Sequence, residues 1–313
     1  MTTQPSSAPL PHERTAASGT RRLRRVGVLV HPTRNVDKPL RQLREWAEEH
    51  GIELVQIAAG YPQRPVAEEG DAGDTDLIVS IGGDGTTLAA LRAGAVAGRP
   101  VLGIGCGSLG SLANVTVADT TRSLERFARG EWRPRLFPAL WIARSDGEAL
   151  FALNDVALVR ESGSQVRLCA YVDGTLFARI AGDGAVVSTP IGTSGYAISA
   201  GGPLVLTGID AYVLTPLPKH GGFAPPLVIG AGSELELDAA ASFGGVRLEV
   251  DGRVAGGGVA SVTVRFRPAA ATQVSFDDHE PLLSGLRRRR ILLDSPRFLA
   301  EDARASLSSP PGT

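Results

Sequence analysis

A chain of 313 residues, 43% hydrophobic and 21% charged, is long enough for two domains and can bury a sizeable core. Its formal charge of −1 excludes a global electrostatic attraction to nucleic acid or to a membrane surface. Cys106 and Cys169 stand far apart, which excludes a disulfide framework and a cysteine zinc site; both read as buried small residues in a reducing compartment.

Residues 1–24 are rich in Ser, Thr, Pro and Ala and carry no apolar core of a secretory signal. They read as a disordered extension, with an organellar transit peptide as the alternative, and the expected location is the cytoplasm. No apolar run reaches the ~18 residues that span a bilayer. Val26 to Val30 then reads as a strand buried on both faces. Leu40 to His50 has helical spacing at Leu40, Leu43, Trp46 and Ala47, with Gly51 where a helix ends. Ile52 to Ile57, Asp76 to Ile81 and Val101 to Ile104 read as further strands, and Leu88 to Ala97 as a helix. Strands alternating with helices predict a doubly wound parallel α/β domain over 25–130.

From Arg133 the rhythm becomes strand after strand. Leu140 to Ala143, Leu150 to Arg160, Gln165 to Val172, Thr175 to Ile180, Ala185 to Ser188, Ala211 to Thr215, Ser233 to Leu237, Val246 to Val250 and Ser261 to Arg267 are predicted strands. Asp146-Gly147 and Asp173-Gly174 supply hairpin turns. A β-rich, mostly antiparallel substrate domain over 131–280 follows. Residues 281–302, with the run Arg287 to Arg290, are expected to pack back on the first domain, and 303–313 to form a disordered tail.

Two segments carry chemistry. The first is a strand, then Gly82-Gly83-Asp84-Gly85-Thr86, then a helix. Glycines after a strand let backbone amides approach phosphate oxygens, which makes Gly82, Gly83, Gly85 and Thr86 candidate ATP-binding residues. Asp84 falls at the carboxyl end of a parallel strand, where such sheets bind ligands. There it can hold Mg²⁺, accept a proton from an attacking hydroxyl, or simply cap the helix. A Walker-type loop is excluded: no GxxxxGK[ST] occurs, and Lys38 and Lys219 are the only lysines. Gly105, Gly107 and Gly110 match GxGxxG formally, but without a following helix or a later acid for the ribose.

The second segment is Gly182 to Gly202. Five hydroxyl side chains (Ser188, Thr189, Thr193, Ser194, Ser199), Tyr196 and six glycines fall within 21 residues. Such a loop offers hydrogen-bonding groups and one ring for stacking, as a nucleoside requires.

Gly82 to Thr86, Asn154-Asp155, Gly182-Asp183-Gly184, Ser188-Thr189-Pro190-x-Gly192-x-x-x-Tyr196, Gly201-Gly202-Pro203, Pro216-x-x-x-His220 and Asp251-Gly252 occur in the order and approximate spacing of the NAD kinase family. The chain resembles a divergent member of it from about Val26 to Val264. The glycine turn alone is shared with diacylglycerol and sphingosine kinases; the Gly182–Pro203 segment selects the NAD kinases. The resemblance implies an ATP-dependent NAD kinase-like phosphotransferase with an active site between its domains. It implies transfer of the γ-phosphate of ATP to the 2′-hydroxyl of NAD's adenosine ribose, giving NADP, with Mg²⁺ or another divalent cation. Asp84 is then the catalytic residue, a base for the ribose 2′-hydroxyl or an organiser of the metal, and a possible metal ligand. Asn154, Asp155, Asp183, Thr193, Ser194, Gly195, Tyr196, Ser199 and His220 are the substrate-binding candidates. NAD and ATP are the partners, with no nucleic acid or membrane, in a homo-oligomer (dimer or tetramer). The chain departs from the family at Gly105, Asp155, Ile191, Gly195 and Pro225. A kinase with another nucleotide, nucleoside or metabolite acceptor, or a non-catalytic nucleotide-binding paralogue, are the alternatives.

Overall fold

The computed structural model describes residues 23–107, 110, 112–161, 163, 165–240, 245–276, 282–288 and 290–301. The expectations for residues 1–22 and 303–313 lie outside them. Met1–Phe276 makes up one compact unit and Asp277–Thr313 a second, which contains the last helix, α5 (Leu282–Arg288).

The first part of the chain alternates as its pattern predicts. Its elements are β1 (Arg25–Val30), α1 (Asp37–His50), β2 (Glu53–Gln56), β3 (Glu68–Glu69), β4 (Leu77–Gly82), α2 (Asp84–Ala97), β5 (Val101–Gly105), β6 (Val115–Thr116) and α3 (Thr120–Ala128). The neighbouring strands here pair parallel. Val26, Val28 and Val30 pack with Leu40, Leu43 and Trp46 of α1, whereas Leu29 and Ile78 join Ala89, Ala90 and Leu91 of α2. Helices therefore cover both faces, which is why β1 and β4 are apolar without alternation. Gly51 ends α1 in the left-handed region, at φ 62°. Helix α2 begins at Asp84, earlier than its apolar spacing indicates, because Gly83 leaves the strand directly into the helix.

The later strands are β7 (Arg133–Arg144), β8 (Ala149–Ala152), β9 (Asp155–Arg160), β10 (Val166–Val172), β11 (Thr175–Gly182), β12 (Gly184–Ser188), β13 (Ala211–Pro216), β14 (Leu227–Gly230), β15 (Glu234–Ala240), β16 (Val246–Val250), β17 (Arg253–Gly256) and β18 (Ser261–Ser275); the short helix α4 (Tyr196–Ser199) lies between β12 and β13. One sheet runs β14-β13-β12-β9-β16-β17, all antiparallel. The other runs β11-β10-β15-β18-β5-β4-β1-β2-β3, with β7 paired to β18, β8 paired to β7 and β6 paired to β5. The mixed architecture predicted from sequence is thus present. Inward residues of the two sheets, among them Leu140, Leu158, Leu168, Leu248 and Val264, build a second core.

Asp173 and Gly174 (φ 49° and 75°) form the two-residue turn expected between β10 and β11. Three readings need correction. Leu150–Arg160 is two strands, because the backbone at Leu153 and Asn154 leaves the sheet to bond a distant carboxylate. Strand β7 begins well before Leu140. Both cysteines are free but half-buried: Cys106 lies just past β5, and Cys169 alternates with the buried Leu168 and Ala170.

Candidate active site

Three strand ends converge at the carboxyl edge of the parallel sheet. Gly82 and Gly105 are register partners there, and the amide of Cys106 donates to the Gly82 carbonyl at 2.7 Å. After β1, the amide of His31 donates to the Ile81 carbonyl at 2.9 Å. The glycine turn and the loop following β5 therefore lie side by side.

Asp84 is the first residue of α2, and the capping position belongs to Gly83, which has extended backbone. The capping role considered for Asp84 is thereby overturned. Its Oδ1 instead accepts the amides of Leu112 and Ala113, each at 3.0 Å. Gly110 is required beside it, since a Cβ there would collide with the carboxylate. Behind this loop, the buried Gln273 on β18 donates through Nε2 to the Leu112 carbonyl. Gln273 Oε1 accepts from Arg135 at 3.4 Å, whose guanidinium lies 4.8 Å from the Phe137 ring centre. Burial pushes the Arg135 pKa down, and the negative charge of Asp84 opposes that shift. Asp84 is thus fixed from one side by amides and faces a half-buried cation.

A second group of residues gathers at the β8–β9 elbow. Asp251, between β16 and β17 at φ 48°, has a fully buried side chain. Its carboxylate accepts the amides of Leu153 (3.1 Å), Asn154 (2.7 Å) and Asp155 (3.2 Å), and pairs with Arg92 of α2 at 3.4 Å. Burial raises the Asp251 pKa, while those amides and Arg92 act in the opposite direction. Asp155 has no such compensation. Burial first, then the charges of Asp251 and Glu249, push it up to about 7.

The Gly182–Gly202 segment closes on that elbow. Thr189 Oγ1 donates to the Leu153 carbonyl at 2.6 Å, and its amide donates to the Asn154 carbonyl at 2.9 Å. Gly192 allows this approach, because any Cβ would strike the Asn154 carbonyl. The buried Thr193 hydroxyl donates to Pro190 at 2.6 Å and accepts the Val205 amide at 3.1 Å, so it shapes the loop from inside. Ser194 and Ser199 hydroxyls donate to the Ile191 and Gly195 carbonyls at 3.0 and 3.4 Å. Thr189→Val is expected to lower stability by about 1–3 kcal/mol, since a buried carbonyl loses its donor at nearly constant volume. Urea denaturation measures this; an unchanged midpoint would show that the bond contributes nothing.

Asp183 lies at the other end of β12 and pairs with Arg160 Nε at 2.8 Å. With Tyr196, Leu217, Arg247 and Glu249 they line an open cleft of about 290 Å³. Burial, then the charges of Glu249, Asp183 and Asp155, raise the Tyr196 pKa, which places the phenol among these acids. His220 is exposed on the adjoining loop, and its amide donates to the Ala181 carbonyl at 2.9 Å. The structure thus brings the candidates into two groups, one around Asp84 and one from Asn154 to the Asp183 cleft, joined by the Arg92–Asp251 pair. Sequence reasoning marked Asp251-Gly252 without assigning Asp251 a task, and it passed over Arg92, Arg135 and Gln273.

The family profile of the ATP-NAD kinase N-terminal domain matches residues 23–132, and that of the ATP-NAD kinase C-terminal domain matches residues 153–270. A protein of Acidobacterium capsulatum named NAD kinase is 34% identical over 253 residues, covering 74% of this chain and 86% of its own. The fold resembles yeast NADH kinase complexed with NADH (TM-score 0.73, 20% identity, 88% and 89% of the two chains covered). It also resembles an NAD kinase from Archaeoglobus fulgidus in complex with ATP (TM-score 0.67, 23% identity, 86% and 100% covered). The glycine–aspartate turn, the threonine-anchored elbow and these matches over both halves converge: the chain belongs to the NAD kinase family.

Proposed function

We propose that this protein transfers the γ-phosphate of ATP to the 2′-hydroxyl of the adenosine ribose of NAD, yielding NADP and ADP. The observation that carries the reading is Asp84, held by two amides at the strand-to-helix turn where phosphates meet backbone N–H groups. In the reaction the bond between the γ-phosphorus and the β–γ bridging oxygen breaks as one to the ribose 2′-oxygen forms. Asp84 accepts the proton that the hydroxyl releases, and the amides of Gly83, Gly85 and Thr86 face the phosphates.

A magnesium ion suits the residues present. Mg²⁺ is commonly bound by one or two carboxylates with phosphate and water oxygens completing its shell, and Asp84 supplies such a carboxylate. Among the described residues no group of three or more His, Cys, Asp or Glu side chains could form a metal site without substrate. When bound, the ion neutralises charge on the phosphates.

Asn154, Asp155, Asp183 and Tyr196 receive the dinucleotide, with Tyr196 available to stack on a ring and Asp183 to accept from a ribose hydroxyl. Thr193, Ser194 and Ser199 hold the shape of the loop that presents Tyr196, and His220 stands at the rim. The assembly is a homo-oligomer, to be measured by light scattering.

One assay tests the proposal: purified protein with ATP, Mg²⁺ and NAD, followed for NADP. Steady NADP formation supports it. ATP consumption only with another acceptor would replace NAD as substrate, and NAD binding without turnover would replace the enzyme with a binding protein.

A further inference from the structure

The glycine turn is overlain by a cation that sequence reading did not single out. His31 follows β1, and its Nδ1 accepts the amides of Thr33 at 3.2 Å and Arg34 at 3.1 Å. That acceptor turns the chain sharply, so Arg34 comes back over the sheet edge. Burial, and secondarily the charge of Arg34, lower the His31 pKa, which keeps Nδ1 an acceptor at neutral pH. Arg34 Nη1 donates to the Cys106 carbonyl at 3.0 Å. A Cβ at Gly83 would lie 3.2 Å from Nη1, and one at Gly107 3.4 Å. The guanidinium therefore lies between two glycine-containing turns, directly over the residue that precedes α2.

We infer that Arg34 receives the phosphate chain of the nucleotide donor. The inference deepens the kinase reading and rests on it. Arg34 is exposed, and among the described residues no carboxylate lies within ion-pair distance of it. One of its five N–H donors is used by Cys106; the others form a planar fork that matches two phosphate oxygens at once. Both lysines and Arg135 are placed elsewhere. Lys38 lies on α1, and Lys219 Nζ donates to the Ala224 carbonyl at 2.7 Å. Arg135 is half-buried, held by Gln273 and lying against the Phe137 ring. The glycines at 83 and 107 have a second use in this arrangement: side chains there would crowd the guanidinium away from the turn.

The test compares wild type, Arg34→Gln and Arg34→Lys as full-length proteins, by calorimetric titration with ATP and, separately, with adenosine, which lacks phosphate. Glutamine retains a donor for the Cys106 carbonyl but no charge. The expected result is ATP binding about 10- to 100-fold weaker in Arg34→Gln, the loss of one or two charge-assisted bonds. Adenosine binding and melting temperature stay unchanged, and Arg34→Lys recovers part of the ATP affinity. Equal ATP affinity in Arg34→Gln and wild type overturns the inference. So does a parallel loss for ATP and adenosine, which is what a merely structural arginine would give, and so does wild type that binds no ATP. Wild type that binds ATP but forms no NADP overturns the proposed reaction while leaving the binding test readable.

Discussion

Replacing Asp84 by asparagine is expected to leave a folded protein whose rate of NADP formation falls by about 10²- to 10⁴-fold, the usual range for removing a positioned proton acceptor. The geometry makes asparagine the informative change. Its amide oxygen can still accept the Leu112 and Ala113 amides that now bind Asp84 Oδ1 at 3.0 Å. It occupies the same space against Gly110, where there is no room for a larger group. What disappears is the negative charge opposite Arg135 and the capacity to take a proton. Alanine would add a second effect by stripping two buried amides of their acceptor. Rates at saturating ATP and NAD, with melting curves beside them, separate the two. A near-normal rate in a folded Asp84→Asn protein would remove Asp84 from the chemistry.

The second large effect is on stability and follows from Asp155. Its carboxyl is raised from the ordinary 3.8 to about 7, by burial first and then by Asp251 and Glu249. A carboxyl with a raised folded pKa favours folding in its protonated form. That contribution is complete below about pH 4 and is lost as pH rises through about 7. Across this window the group accounts for about 4 kcal/mol at most, at roughly 1.4 kcal/mol per pH unit. Asp155→Asn, uncharged at every pH, is therefore expected to be more stable than wild type at pH 8–9, with the difference vanishing near pH 4. Denaturant melts of both proteins across that range measure it; parallel curves would show that Asp155 ionises freely in the folded chain. The same variant is expected to bind NAD more weakly above pH 7, where the acceptor carboxylate is otherwise charged.

Much of this was legible because local chemistry and global position agreed. The apolar runs of β1 and β4 announce strands covered on both faces, and Gly51 and Asp173-Gly174 stop a helix and turn a hairpin as their backbone freedom allows. The early part of β7 was hidden by Pro134 and Pro138. Pro138 is tolerated because β18 bulges opposite it, the register jumping from Arg267–Ala139 to Ala271–Phe137 with Ala269 at φ 53°. Helix α3 was passed over, although Leu124 is fully buried. The glycine–aspartate turn and the hydroxyl-rich loop were readable as contiguous motifs. The groups that hold them were not, because each meets its partner across a long stretch of chain: Asp251 with Leu153 to Asp155, Gln273 with Leu112, and Arg34 with Cys106.

Strand β18 also bears on how the chain is made. Its residue Gln273 pairs with Val101 of β5 and holds the Leu112 loop against which Asp84 is fixed. Until that late segment leaves the ribosome, the part of the β5 edge that β6 does not cover stays unpaired and Asp84 lacks its support. The loop that holds Asp84 is therefore completed only by the last strand of the sheet, whose residues are the last of it to be synthesised.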